Sequence, residues 1–238
     1  MALAREISAE VGEPLFYRER TLERTLSEEF FSSEPLVQDI LQIIEARGDY
    51  LGHGLIHVRK VAIDAGALIL AESDEGISAT AVRRMVLLGH LAGLLHDICR
   101  REKNHAERGA AEAVKVLTGF PLSDQERLSI AGAIQNHEAF RPLITSDSPE
   151  AQLLSDSLYD ADKFRWGPDN FTETIWAMTA PRAIPLCELL PKFPAGMQGV
   201  EKIKESFRTA TGRRYGPDFI ERGLEIGRRL YAILTTDC

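Results

Sequence analysis

The chain has 238 residues, a formal net charge of −8, and 44% hydrophobic and 27% charged residues. That is material for one large domain with a core, and it excludes a disordered chain. The acidic balance argues against a general affinity for nucleic acid or anionic membranes, whereas a small phosphorylated ligand needs only a few local basic groups.

The N-terminal MALAREISAEVGEP lacks the basic start and apolar core of a signal peptide, and no apolar stretch approaches the length that spans a bilayer. Cys99, Cys187 and Cys238 stand singly, which fits a reducing compartment and neither a disulfide framework nor a thiolate zinc site. The expectation is a soluble cytoplasmic protein.

Alternation of the β type is almost absent, while apolar periodicity of 3.6 residues recurs, so the chain reads as all-α. A helix is expected from Glu34-Pro35, with proline at a tolerated first-turn position, to near Gly48. The next runs from about Leu55 to Ala71 and stacks His57, Val61, Ala65 and Leu68 on one face. Ser78 can cap a third, which carries Val82, Val86 and Leu94 down to His96-Asp97. Asn104 with Glu107, and Ser123 with Glu126, have capping-box spacing and open helices through Leu117 and through His137. A helix from about Pro149 to Phe164 stacks Leu154, Leu158 and Asp162. Beyond Trp166, prolines 168, 181, 185, 191 and 194 break up the chain; two amphipathic helices follow, ending near Gly212 and at the C-terminus. The expected organisation is an N-terminal helical segment (1–48), a core (49–180), and a proline-rich connection with C-terminal helices packed on that core (181–238), all in one domain.

His96-Asp97 ends an apolar helical run (Val86, Leu87, Leu88, Leu91, Leu94, Leu95), and both side chains can coordinate a divalent metal. His57 precedes Val61 by one turn, Asp162 follows Leu158 by one turn, and His137 follows Ile134 by three residues, so each is expected to point inward. A lone histidine on an apolar face is more often a hydrogen-bonded core residue, and a lone aspartate there can cap a neighbouring helix. Several such groups together are costly to bury unless paired or metal-bound, and helices converging on a cation satisfy all of them at once. Asp160 lies about 200° from Asp162 around a helix and aligns with Asp156, so it is expected to face outward or to stand behind the ligands. His90 reads as a core histidine, with support of the site as the alternative. His53, at a loop or helix start, is not favoured as a ligand.

The series His57 (in HGLIHVRKV), His96-Asp97 (in LAGLLHDICR) and Asp162 (in DADKFRWGPDN) resembles the HD-domain metal-dependent phosphohydrolases, over roughly His53 to Asn170. NHAERGA, with His105, and AIQNHE, with His137, resemble the further histidines that many members contribute to the substrate pocket or to a second metal. The resemblance implies an HD-domain-like helical bundle with the metal held between helices. The segments after Pro181 match no familiar subgroup.

Two imidazoles and two carboxylates (His57, His96, Asp97, Asp162) suit Mn, Fe, Co, Ni or Zn and tolerate Mg. One or two ions are compatible with the spacing: His105 and His137 either stabilise the developing phosphoryl charge or bind a second ion. The metal would polarise the P–O bond and activate bound water for in-line attack. For the phosphate, Lys163 and Arg100 are first choices; in relatives the lysine matching Lys163 meets substrate phosphate. Arg59, Lys60, Arg101, Lys103 and Arg141 read rather as solvated groups near helix ends. Trp166 can stack on a base or close off the core, and Phe164 reads as packing. The expected function is a hydrolase acting on a phosphoester or phosphoanhydride of a small compound, a nucleotide among the candidates, with Asp97, His105, His137 and Lys163 at the chemistry. The alternatives are a non-catalytic nucleotide-binding regulator, a di-iron oxygenase like myo-inositol oxygenase, and a helical interaction module.

Overall fold

The computed structural model describes residues 1–48, 54–73, 76–146, 148–180 and 184–236. His53, Pro181 and Cys238 lie outside the described residues. Among the described residues there is no strand, in keeping with the all-α expectation. No helix among them is long and apolar enough to cross a membrane.

The N-terminal part folds as α1 (Ala2–Val11), α2 (Leu15–Glu19), α3 (Thr21–Ser33) and α4 (Pro35–Arg47). The central pair is α5 (Leu55–Glu72) and α6 (Ala79–Leu95). Then come α7 (His105–Leu117), α8 (Asp124–Gln135) and α9 (Pro149–Phe164). Short helices α10 (Ile175–Thr179), α11 (Leu186–Leu189) and α12 (Phe193–Glu201) lead to the long α13 (Ala210–Thr236).

Why α5 and α6 are central is visible in their composition. Val58 to Ile69 and Met85 to Leu95 are apolar nearly all round, and a helix of that kind is stable only when covered on every side. Accordingly α5 packs against α3, α6 and α9, and α6 also touches α4, α8 and α9. The pair is antiparallel and very close: a Cβ on Gly93 would collide with the backbone of Ala62. This contact sets the register that brings the start of α5, with His57, beside the end of α6, with His96. A smaller apolar cluster (Ala4, Ile7, Phe171, Phe193, Ile226, Leu230) seats α1 and the proline-rich segment on α13.

Local chemistry accounts for most helix starts. The Ser78 hydroxyl accepts the Ala81 N–H, Ser148 accepts that of Ala151, and Ser123 with Glu126 forms a complete capping box. Asn104 departs from the expected capping box. It adopts the left-handed conformation (φ 56°, ψ 44°) and its side chain caps nothing, although α7 still begins at the next residue. Helix α8 stops at Gln135, so His137 lies just past its end rather than on it, with its N–H donated to the Ile134 carbonyl.

The proline-rich segment is mostly short helical turns rather than a broken chain. Pro185, Pro191 and Pro194 stand at the starts of such turns, where a missing N–H costs nothing. Gly212 ends no helix; it lies in the first turn of α13, where a side chain would collide with the Asp160 carboxylate. Asp160 in turn faces neither outward nor the candidate ligands. It is fully buried and accepts hydrogen bonds of 2.8 Å from the Arg208 N–H, the Thr209 N–H and the Thr209 hydroxyl, at the start of α13.

His90 is a core histidine. Its Nε2–H donates to Ser27 Oγ (2.9 Å), whose hydroxyl donates to the Ile63 carbonyl, and Phe30 and Phe31 pack beside the ring. Burial pushes its pKa down from 6.5 to about 3. The unfolded chain therefore takes up a proton between those values that the folded chain refuses, and stability falls as pH falls through this window. The stability difference between wild type and His90→Gln, from urea unfolding, is expected to shift against the wild type by about 1.4 kcal/mol per pH unit between pH 6 and 4. Gly93→Ala is expected to cost about 1–3 kcal/mol in the same assay at neutral pH, because helix α5 must move away to admit the methyl group.

Candidate metal centre

Helices α5 through α9 each deliver ionisable groups to one place. His57 lies in the first turn of α5, and His96 and Asp97 follow α6 directly. Successive tight turns, from the Ile98, Arg100 and Glu102 N–H groups back to Leu95, Asp97 and Cys99, then fold the chain so that His105 opens α7 beside them. His137 comes from the end of α8 and Asp162 from the last turn of α9. All are buried except His105, which is partly open.

The distances define two sets that share Asp97. In the first, His57 Nε2 is 3.2 Å from His96 Nε2 and 3.4 Å from Asp162 Oδ1. His96 Nε2 is 3.5 Å from Asp97 Oδ2 and 3.7 Å from Asp162 Oδ1. In the second, Asp97 Oδ1 lies 3.5 Å from His137 Nε2 and 3.7 Å from His105 Nε2, and those two nitrogens are 3.3 Å apart. His57, His96 and Asp97 could hold a metal ion, and so could Asp97, His105 and His137; Asp162 lies beside the first group. Neighbouring ligands of an ion bound at about 2.1 Å stand about 3.0 Å apart in octahedral and about 3.4 Å apart in tetrahedral geometry, so the spacings fit without large movement.

The protonation pattern supports the same use. His96 Nδ1–H donates to the Gly93 carbonyl (2.8 Å) and His137 Nδ1–H to the Ile134 carbonyl (2.6 Å), so both Nε2 lone pairs face the cluster. Burial holds His96 at a pKa of about 3, so the ring is neutral at pH 7 and could serve as a ligand. Converging lone pairs and carboxylate oxygens repel one another; a cation among them converts that repulsion into attraction.

The two sets are not equivalent. Arginine is only a donor, so the 2.8 Å contact from Arg100 Nη1 makes His105 Nε2 an acceptor, and Arg100 is also 3.9 Å from Asp97 Oδ1. Burial, then His137 and Arg100, lower the His105 pKa. Glu138 Oε1 stands 3.6 Å from the other ring nitrogen of His105. A guanidinium thus lies against the second set, whereas the cation against the first set is the ammonium of Lys163, on Asp162.

Lys163 is 3% exposed and works on the ligands themselves. Its ammonium donates to Asp162 Oδ2 (2.5 Å) and to the His137 carbonyl (2.9 Å). Burial pushes the Asp162 carboxyl up, but Lys163 and the two histidines outweigh it and hold the group well below the usual carboxylate range. The expected role of Lys163 as a phosphate contact is therefore reduced to whatever its remaining N–H can reach. Arg100, Lys163 and Trp166 do line one chamber of about 340 Å³ with His105, His137 and Phe140. Of the other basic candidates, Arg59 covers the Phe31 ring, Lys60 binds Asp169 and Glu173, and Arg141 stands beside Glu138.

The sequence reading missed the buried group behind the centre. Arg165 lies between Asp64 and Asp169 and also donates to the Tyr17 hydroxyl, which in turn donates to Asp64 (2.8 Å). The signal was present: Asp64 interrupts the apolar run VAIDAGALIL, and a buried carboxylate there demands a cation. No family model, curated protein or solved structure matches this chain.

Removal of Lys163 leaves Asp162 buried and uncompensated. Lys163→Met is expected to lower the stability of chelator-treated protein by about 3–5 kcal/mol in urea unfolding, the range for breaking a buried pair. Unchanged stability would instead make Lys163 a ligand for substrate alone.

Proposed function

We propose that this chain is a metal-dependent phosphohydrolase that cleaves a phosphoester or phosphoanhydride of a small compound. The observation that carries the reading is the shared carboxylate of Asp97. One of its oxygens faces the His57–His96–Asp162 set, and the other faces His105, His137 and the guanidinium of Arg100. The resemblance of these segments to HD-domain phosphohydrolases supports the same reading.

His57, His96, Asp97 and Asp162 would hold the principal ion, a divalent Mn, Fe, Co, Ni, Zn or Mg by donor chemistry. When bound, such an ion supplies Lewis acidity toward a phosphoryl oxygen and acidifies water. The protein's own groups do the rest. Lys163 keeps Asp162 ionised and fixed in orientation. Arg100 presents donors and positive charge where phosphoryl oxygens gain charge, and it costs little reorganisation because its contacts to His105 and Asp97 already hold it. Trp166 and Phe140 line the same chamber. In this arrangement Arg100 stands in for a second ion.

Two measurements test the reading. Elemental analysis of the purified protein is expected to give about one equivalent of divalent metal, lost in Asp97→Ala and retained in His137→Ala. A second equivalent lost in His137→Ala would make the centre binuclear. With the native ion, phosphate release from a panel of phosphate esters is expected to fall about 10²–10³-fold in Arg100→Ala, the typical loss for one charge-stabilising donor. Stoichiometric metal without phosphate release from any ester, or oxygen consumption in its place, would overturn the hydrolase.

A further inference from the structure

The metal centre opens on two sides. Besides the chamber that holds Arg100 and Trp166, a second of about 490 Å³ reaches the same cluster, and His57, Asp97, Arg165 and Thr174 line both. The two differ in character. The second is walled by Ile44, Leu55, Ile56, Leu94, Ile98 and Ala177, from α4, the start of α5, the end of α6 and α10. Its inner cations are already spent: Lys60 donates to Asp169 (2.9 Å) and Glu173 (3.0 Å), and Arg165 is held by Asp64 and Asp169. Arg5, Glu45 and Arg47 are exposed lining residues, and Arg47 is paired with Glu112 (3.0 Å).

Ile56 is the telling residue. It is 64% exposed although it immediately precedes a metal-centre histidine in the first turn of a core helix. A concave apolar wall continuous with a polar cluster is the usual form of a site for an amphiphilic ligand: the polar atoms orient it and the apolar wall supplies affinity.

We propose that the substrate is a phosphate monoester of an uncharged, largely apolar alcohol. Its phosphate lies at the metal centre on the Arg100 side and its hydrocarbon part occupies the chamber beside Ile56. This inference rests on the phosphohydrolase reading and narrows it. The reaction is hydrolysis: a bond forms between water oxygen and phosphorus, and the ester P–O bond breaks. The two protons of water end on the released alcohol and on phosphate, and no oxidant or further reactant enters. A nucleoside ester fits less well, because a nucleobase brings polar edges to a wall that offers them mostly methyl groups.

The test uses non-hydrolysable n-alkylphosphonates from methyl to octyl, titrated calorimetrically into full-length protein loaded with its native ion. Affinity is expected to rise about fourfold per methylene, the factor for burying one methylene group, until the chamber is filled. Ile56→Glu, at an exposed position, and Ala177→Phe, which fills the space, are each expected to abolish that rise while metal content stays the same. Equal affinity for methyl- and octylphosphonate would overturn the inference and leave the hydrolase standing. A rise that persists in both variants, or that appears equally with octanol on metal-free protein, would likewise overturn it. Failure of every phosphonate, methylphosphonate included, to bind the metal-loaded protein would bring down the phosphohydrolase reading itself.

Discussion

Asp97 and Asp162 are carboxylates removed from water at the junction of helices α5 through α9, and an uncompensated charge in such a place costs several kcal/mol. Each is answered differently. Asp162 receives the ammonium of Lys163 on one oxygen and faces His57 and His96 with the other. Asp97 divides its oxygens between two groups of imidazoles and stands within reach of Arg100. The geometry of the whole centre follows from this need. Helices that carry the compensating groups must approach one another closely, and Gly93 against Ala62 permits α5 and α6 to do so, with Gly66 and Gly89 along the same contact.

The same constraint recurs away from the centre and organises the outer elements. Asp64 on α5 requires Arg165, which also holds Asp169 and Tyr17, and so ties the end of α9 to α2. Asp160, one residue from the last apolar layer of α9, is answered by backbone N–H groups and a hydroxyl at the start of α13. Buried carboxylates on α5 and α9 thus serve as attachment points for the N-terminal and C-terminal helices. The apolar core supplies the larger share of stability, while these pairings decide which element docks where.

Much of this was legible in the chain. The 3.6-residue periodicity marked α4, α5, α6, α7 and α9 to within a residue or two, since amphipathicity and serine caps act locally. The inward direction of His57, His137 and Asp162 followed from their spacing to apolar neighbours, and all are buried. Other features obeyed non-local rules. Asp160 has the angular position of an outward residue, yet α13 covers it. Gly212 looks like a helix stop, yet it is small because Asp160 lies against it. Pro191 and Pro194 read as breaks, yet they occupy first-turn positions of short helical turns beside the cluster around Phe171 and Phe193.

The sequence alone determined that the chain is helical and that particular imidazoles and carboxylates face its interior, because both depend on the local period of a helix and the cost of exposing apolar groups. Tertiary structure decided how those groups are shared: that Asp97 serves two sets, that Arg100 meets His105, and that Lys163 is committed to Asp162. It also decided that an apolar chamber opens beside the cluster. Such choices depend on distances of a few ångströms between residues far apart in the chain, and the Coulomb and desolvation energies that settle them have no counterpart in sequence spacing.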